Sequence, residues 1–330
     1  MNDEFALIRT LLMNRPVFSK QIEVDVGDDA AVVCTNQGTS LVMTCDTMVE
    51  SVHFLRETMS PQDIGWKLLA SNLSDLAAMG ATPTFALCSL AIPPTWNHTE
   101  VQEIVQGIYL LAEKARVTLI GGDTVRAPNS LVLTLTLLGE VPHTKALLRS
   151  SAEPGDVVFV TGTLGDSAAG LYLLLKQPTL IDDFPSLICA HQRPEPQLEI
   201  GDWLMRSRYQ PACDDVSDGL GQETWEIAEA SGVRLIINQE KIPLSADLRR
   251  LAQQELMNPY QLAWNGGEDY QLLGTICPAG WQELQLFADQ KGFQITEIGK
   301  VEAGEPCVII EENGKREIAP KSGYNHFTNR

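Results

Sequence analysis

Apolar residues at Phe5, Leu7, Ile8, Leu11 and Leu12 recur with helical spacing and stop at Asn14 and Pro16, which predicts a short opening helix. Two compact apolar runs follow, at 30–34 and 41–44, and read as buried strands. Ser60-Pro61-Gln62-Asp63 then supplies a cap, a proline at the first helical position and an acid at the third, so a helix is expected to run to about Gly80. Its apolar face would carry Ile64, Leu68, Leu69, Leu73 and Leu76. The pattern next predicts a strand over 84–92, a helix capped by Thr99 with Gln102 behind it, a strand over 117–120 and an alternating strand over 131–138.

The polar stretch 143–156, with Glu153-Pro154-Gly155, interrupts these periodicities and marks a boundary. Beyond it a strand over 157–160 leads through Gly162 and Gly165 into a helix. Further helices are expected near 196–206, 220–230, 245–256 and 280–291, with strands at 233–237, 270–276, 295–299 and 307–310. The expected fold class is therefore α/β with mixed sheets, in two domains spanning 1–150 and 151–330. A length of 330 residues agrees with that division, since domains run to about 150 residues. No fixed-period repeat is visible.

Charge narrows the partners. Lys and Arg number 24 against 43 Asp and Glu, a net charge of -19, and such a field repels nucleic acid and anionic membranes. No apolar run approaches the ~20 residues needed to span a bilayer, and the start carries Asp3 and Glu4 where a signal peptide has basic residues. A cytoplasmic protein is expected. Seven scattered cysteines without a C-x-x-C pair argue against a disulfide framework and a zinc site, and five histidines show no metal-ligand spacing. Any metal is thus expected to be held by oxygen.

Aspartates stand where apolar strands give way to Gly- or Ser-rich turns: Gly27-Asp28-Asp29, Thr44-Cys45-Asp46-Thr47, Gly121-Gly122-Asp123-Thr124 and Asp214-Asp215-Val216-Ser217-Asp218-Gly219. Strand ends are where ligands settle in α/β folds. Taken singly, each is also what an ordinary turn or cap uses. Asp75 differs, because it sits in mid-helix amid Leu73, Leu76 and Ala77, where an aspartate has poor propensity. Several carboxylates with no nitrogen or sulfur partner select hard cations such as Mg²⁺, which is usually shared with phosphate oxygens. An EF-hand over 214–225 fails, because Val216 and Trp225 would fall at ligand positions. No G-x-x-x-x-G-K-[ST] motif and no protein-kinase loop set occurs. The turn Gly162-Thr163-Leu164-Gly165-Asp166-Ser167 enters a helix and could meet an anion or simply pack.

Three strings resemble the bacterial thiamine-monophosphate kinases: Gly27-Asp28-Asp29-Ala30-Ala31, Cys45-Asp46-Thr47-Met48-Val49-Glu50-Ser51-Val52-His53-Phe54 and Asn72-Leu73-Ser74-Asp75-Leu76-Ala77-Ala78-Met79-Gly80-Ala81. So do Gly121-Gly122-Asp123-Thr124, Asp215-Val216-Ser217-Asp218-Gly219-Leu220, Gly266-Gly267-Glu268-Asp269-Tyr270 and the terminal Gly323-Tyr324-Asn325-His326-Phe327. The resemblance implies the fold shared with aminoimidazole ribonucleotide synthetase and selenophosphate synthetase, with an N-terminal domain that forms a homodimer and a C-terminal α/β domain covering the site. It implies that ATP donates its γ-phosphoryl group to thiamine monophosphate, giving thiamine diphosphate and ADP, the last step of thiamine diphosphate biosynthesis. Carried across, Asp29, Asp46, Asp75, Asp123, Asp215 and Asp218 would bind magnesium, with Thr44 and Cys45 beside the ions. Gly122, Asp123, Arg149 and Ser217 would contact ATP, and His53, Glu268 and Tyr324 the thiamine phosphate. The family usually has a second hydroxyl residue where this chain has Cys45, so a backbone carbonyl would serve there; Gln197 and Gln271 also depart from it.

A phosphate acceptor is mostly a dianion at neutral pH, so no general base is expected. Arg149, near Lys145, suits a phosphate fork or an ordinary linker. Two other functions compete. A sibling ATP-dependent synthetase of selenophosphate type would need a reactive cysteine in its N-terminal segment, and none precedes Cys34. A non-catalytic cation- or nucleotide-binding protein would melt in a metal-dependent way without turnover.

Overall fold

The computed structural model describes residues 21–24, 28–35 and 38–324; the opening helix expected over 5–12 lies outside them. The first sheet holds β1 (Ile22–Val24), β2 (Ala31–Cys34), β3 (Thr39–Val49), β4 (Thr82–Ile92), β5 (Thr118–Arg126) and β6 (Val132–Pro142). Their spatial order is β1-β2-β3-β6-β4-β5. Only β4 and β5 run parallel, and such a pair needs a crossover helix. Along β6, Leu133, Leu135 and Leu137 turn inward at every second position and are fully buried.

Two helices, α1 (Pro61–Ala78) and the crossover helix α2 (His98–Ala115), complete this half. Ser60 caps α1 in a full capping box with Asp63 behind Pro61, as its sequence led one to expect. The expected apolar face, Ile64, Leu68, Leu69, Leu73 and Leu76, is fully buried. The opposite side is buried too, including Lys67 and Ser74, because the second half of the molecule lies against it. For α2 the box forms at Asn97 with Glu100, two residues before the expected Thr99 and Gln102. Both quartets satisfy the capping pattern, and only the fold selects between them. The helices cross backbone to backbone at Gly65 and Gly107: a Cβ on either would lie 1.9 Å from a carbonyl oxygen of the other helix.

A larger departure is β5. Gly121-Gly122-Asp123 was expected to end the strand in a turn, yet the strand continues to Arg126 with an irregularity opposite Ala86 and Leu87. Gly122 makes this possible, since a Cβ there would lie 1.7 Å from the Cys88 carbonyl oxygen.

The second sheet comprises β7 (Val157–Thr161), β8 (Ala212–Asp215), β9 (Arg234–Asn238), β10 (Leu272–Ile276), β11 (Ile295–Glu302), β12 (Cys307–Glu312) and β13 (Lys315–Ile318). Its order is β13-β12-β9-β11-β7-β10-β8. Helices α3 (Asp166–Lys176), α4 (Pro185–Gln192), α5 (Leu198–Arg206), α6 (Leu220–Ser231), α7 (Ala246–Glu255), α8 (Pro259–Asn265) and α9 (Pro278–Lys291) accompany it. Short β8, β13, α4 and α8 were not anticipated. Between the sheets, residues 143–156 contain a single 3-10 turn, Arg149–Ser151. The core does not stop there, because Ile200, Leu204, Leu272 and Trp281 join the apolar cluster of the first half. Gly201 of α5 brings that helix onto α1, where a Cβ would meet the Ala77 carbonyl at 2.1 Å.

Candidate active site

Folding gathers the aspartates that the sequence scatters. One carboxylate oxygen each of Asp29, before β2, Asp75, on α1, and Asp215, at the end of β8, lie within 4.8 Å of one another. Asp46 on β3 is close enough to act on two of them. Burial first, and then Asp46, Asp215 and Asp29, push Asp75 well above the ordinary carboxylate range. Burial and then Asp29 do the same to Asp215, and burial raises Asp46. Burial also raises Asp29, against the pull of Arg149. Thr44 donates to Asp75 and Ser74 to Asp215. Asp29 keeps a buried oxygen, Oδ2, with no hydrogen-bond partner. An oxygen-only set of mutually repelling carboxylates with an unsatisfied buried oxygen fits a hard divalent cation.

Beside this group opens a cavity of about 620 Å³ whose lining includes Asp46, Asp75, Asp218, His53, Glu268 and Tyr324. Ser217 also lines it. The expected acceptor residues therefore meet several of the expected metal residues in one space. His53 accepts from the Val49 amide at Nδ1, 3.0 Å, which leaves the ring proton on Nε2. The loop after α8 reaches the cavity through an unusual backbone: Glu268 and Tyr270 have φ of 65° and 50°. Their amides pair with the carbonyls of Ser217 (2.7 Å) and Val216 (2.9 Å), and such left-handed non-glycine residues gather at functional sites. Gly267 allows the approach, since a Cβ would lie 2.4 Å from the Ser217 carbonyl oxygen. Tyr324 is tied down by its amide, which donates to the Asp218 carbonyl at 3.1 Å.

Other expected residues lie elsewhere. Strand alternation turns the Cys45 side chain away from its neighbours Thr44 and Asp46; it is exposed and accepts from Thr136 Oγ at 3.4 Å. Only its backbone remains on the side of the aspartate cluster. Gly122 and Asp123 lie on β5, the sheet edge three places from β3, so one chain does not bring them to the cluster. Arg149 is turned into carboxylates instead of the cavity, pairing with Asp29, Glu226 and, at 3.0 Å, Asp214. Beside it, burial and then Asp29 push the Asp28 carboxyl up to about 7.

Sequence spacing also missed arrangements. Lys67 and His191 flank Glu268, with Ser167 against His191, and nothing local announced them beyond a lysine placed among Ile64 and Leu68 on α1. Glu23, Cys34 and His143 also converge, a mixed-donor group that spacing had excluded, because strand pairing joins positions over a hundred residues apart. A more open groove of about 900 Å³, edged by Lys114, Arg116, Trp203 and Phe287, contains none of the expected site residues.

Comparison with known proteins identifies the family. The family described as AIR synthase related protein, N-terminal domain, matches residues 27–141. The thiamine-monophosphate kinase of Bacillus subtilis is 41% identical over 331 residues, covering 98% of this chain and 99% of that protein. The enzyme of the same name from Haemophilus influenzae is 35% identical, covering 98% of each. Among solved structures, AaThiL complexed with AMPPCP and TMP superposes with a TM-score of 0.84 at 34% identity, over 98% of this chain and 97% of that one. Full-length identity at this level, on the same two-sheet fold, places the chain in the thiamine-monophosphate kinase family.

Proposed function

We propose that the protein transfers the γ-phosphoryl group of ATP to the phosphate of thiamine monophosphate, giving thiamine diphosphate and ADP. The observation that carries this reading is the convergence of the Asp29, Asp75 and Asp215 carboxylates beside a cavity lined by His53, Ser217, Glu268 and Tyr324. The likeness to AaThiL complexed with AMPPCP and TMP supports the choice of donor and acceptor.

Magnesium bound by the carboxylates would supply charge neutralisation between two anionic phosphates. In this reading Asp29, Asp46, Asp75, Asp215 and Asp218, with the Thr44 hydroxyl and the Cys45 carbonyl, hold several ions. An acceptor phosphate oxygen attacks the γ-phosphorus, and the bond to the bridging oxygen of ADP breaks. The acceptor carries a second pKa of about 6 and needs no base. The residues accordingly position: His53, Glu268 and Tyr324 hold the thiamine end, and Ser217 meets ATP. Arg149 would exchange one of its carboxylates for a phosphate oxygen, a charge-assisted contact of similar kind.

Gly122 and Asp123 would act from a second copy of the chain. Support comes from the open face of the first sheet, where Phe85, Leu87, Ile120 and Val125 are 40 to 57% exposed. A homodimer through this face would cover them and the edge of β5, which no strand pairs among the described residues. We read residues 1–150 as the ATP, magnesium and dimer domain and 151–330 as its cover. Seven free cysteines suit a reducing cytoplasm, and among the described residues no helix is long and apolar enough to cross a membrane. The acidic surface offers nothing to nucleic acid.

Phosphorus NMR of the protein with ATP, Mg²⁺ and thiamine monophosphate tests the reading. Thiamine diphosphate and ADP are expected in equal amounts; release of free phosphate alone, or no change, would remove the assignment.

A further inference from the structure

We propose that Lys67 is a positioning residue for the acceptor site, fixing the Glu268 carboxylate so that one oxygen is held and the other faces the cavity. The inference rests on the kinase reading above and goes beyond it by naming a residue that touches neither phosphate.

Lys67 belongs to α1, one helical turn from Ser71 and two from Asp75, so the side of the helix that carries the cluster also carries this lysine. Its side chain is 1% exposed, and its ammonium lies 2.7 Å from Glu268 Oε2. The same ammonium is 3.5 Å from His191 Nδ1 on α4. That nitrogen is also 3.5 Å from Glu268 Oε2 and 3.2 Å from Ser167 Oγ at the start of α3. Four polar groups from α1, α3, α4 and the strained loop at Glu268 thus close on one point at the edge of the cavity, which both His191 and Glu268 line.

The arrangement has a defined charge state. Burial, with Lys67 beside it, drives His191 down to about 3, so the imidazole is neutral at working pH. Burial alone would raise Glu268, but the Lys67 ammonium beside it holds it below its usual range. A fully buried ammonium persists only with a partner, and here the partner is the residue assigned to the ligand. With Oε2 engaged, Oε1 is the acceptor left for an N–H donor of the ligand, such as the amine of an aminopyrimidine ring. Glu268 otherwise hangs from a loop with φ of 65°, whose conformation is not fixed by regular secondary structure. Lys67, on a rigid buried helix, decides where its carboxylate points.

The test is a double-mutant cycle on the full chain with Lys67→Met, Glu268→Gln and the two combined. Lys67→Met is expected to raise the KM for thiamine monophosphate roughly tenfold to a hundredfold, the size of one charged hydrogen bond, while the KM for ATP moves less than about twofold. In the Glu268→Gln background the same lysine change is expected to add nothing. Should Lys67→Met fail to fold, the combined variant, which leaves no unpaired charge, supplies the comparison with Glu268→Gln: equal KM values support the proposal. Equal rises in both KM values, or additive effects of the two changes, would overturn it and leave Lys67 a strut between the halves. A wild type that neither turns over nor is stabilised by thiamine monophosphate would fail the kinase reading itself, and that result is distinct from a working wild type with an indifferent Lys67→Met.

Discussion

Asp75 concentrates the physical problem of this site in one residue. Its helix gives it poor propensity, its surroundings raise it far above an ordinary carboxylate, and three other aspartates supply part of that repulsion. Without a cation the group therefore opposes folding. Asp75→Asn removes one of the repelling charges, so the metal-free variant is expected to melt at or above the wild-type temperature. Turnover should fall at least ~100-fold, and the rise in melting temperature produced by Mg²⁺ should shrink. A raised carboxylate binds more protons folded than unfolded, so metal-free wild type should gain stability as pH falls from neutral toward the ordinary carboxylate range. The variant should show a flatter dependence. A variant that fails to fold would make Asp75 structural. The anomaly of this aspartate was visible in the sequence, because poor propensity is a local property. Cys45 was not legible in the same way: the motif carries it next to Asp46, while the strand turns its thiol to the other face.

At the scale of elements, α1 decides most of what the site can be. Its cap and apolar face follow from local pattern, and both appear where the sequence puts them. What local pattern does not contain is the burial of the rest of the helix, where Lys67, Ser74 and Asp75 meet the second half of the molecule. Close crossing with α2 depends on Gly65 and Gly107, and competing effects can be weighed there. Gly107→Ala gains about 1 kcal/mol of helix propensity. Against it, the new methyl would lie 1.9 Å from the Gln62 carbonyl oxygen, and overpacking of that kind costs about 1–3 kcal/mol or more when backbone must move. We expect a net loss of at least about 1 kcal/mol in urea unfolding, and a variant as stable as wild type would contradict the close crossing. The four-residue strand β8 escaped prediction because two aspartates at the end of Ala212–Asp215 look like a turn until β10 pairs with them. The β5 strand was cut short for a similar reason, its glycines being read as a break when Gly122 serves close packing.

On the scale of the whole molecule, the first sheet has one face covered by helices and one open. Phe85 and Leu87 on β4 and Ile120 and Val125 on β5 stand on the open side, and Asp123 shares that edge. If a second copy covers this face, sedimentation should give twice the 36.2 kDa chain mass, and Leu87→Glu should yield a folded monomer with little turnover. A fully active wild-type monomer would end the dimer reading. Much was legible in the sequence: the mixed α/β class, the long helix from Pro61, and the aspartate and Glu268 motifs that resemble the family. These are carried by period, capping and short strings, all set within a few residues. Tertiary structure alone decided that Asp29, Asp75 and Asp215 share one point, that Arg149 turns into carboxylates, and that Lys67 stands behind Glu268. Those contacts join residues dozens to about two hundred positions apart, and the energy of a buried charge depends on neighbours that only the folded chain brings near it.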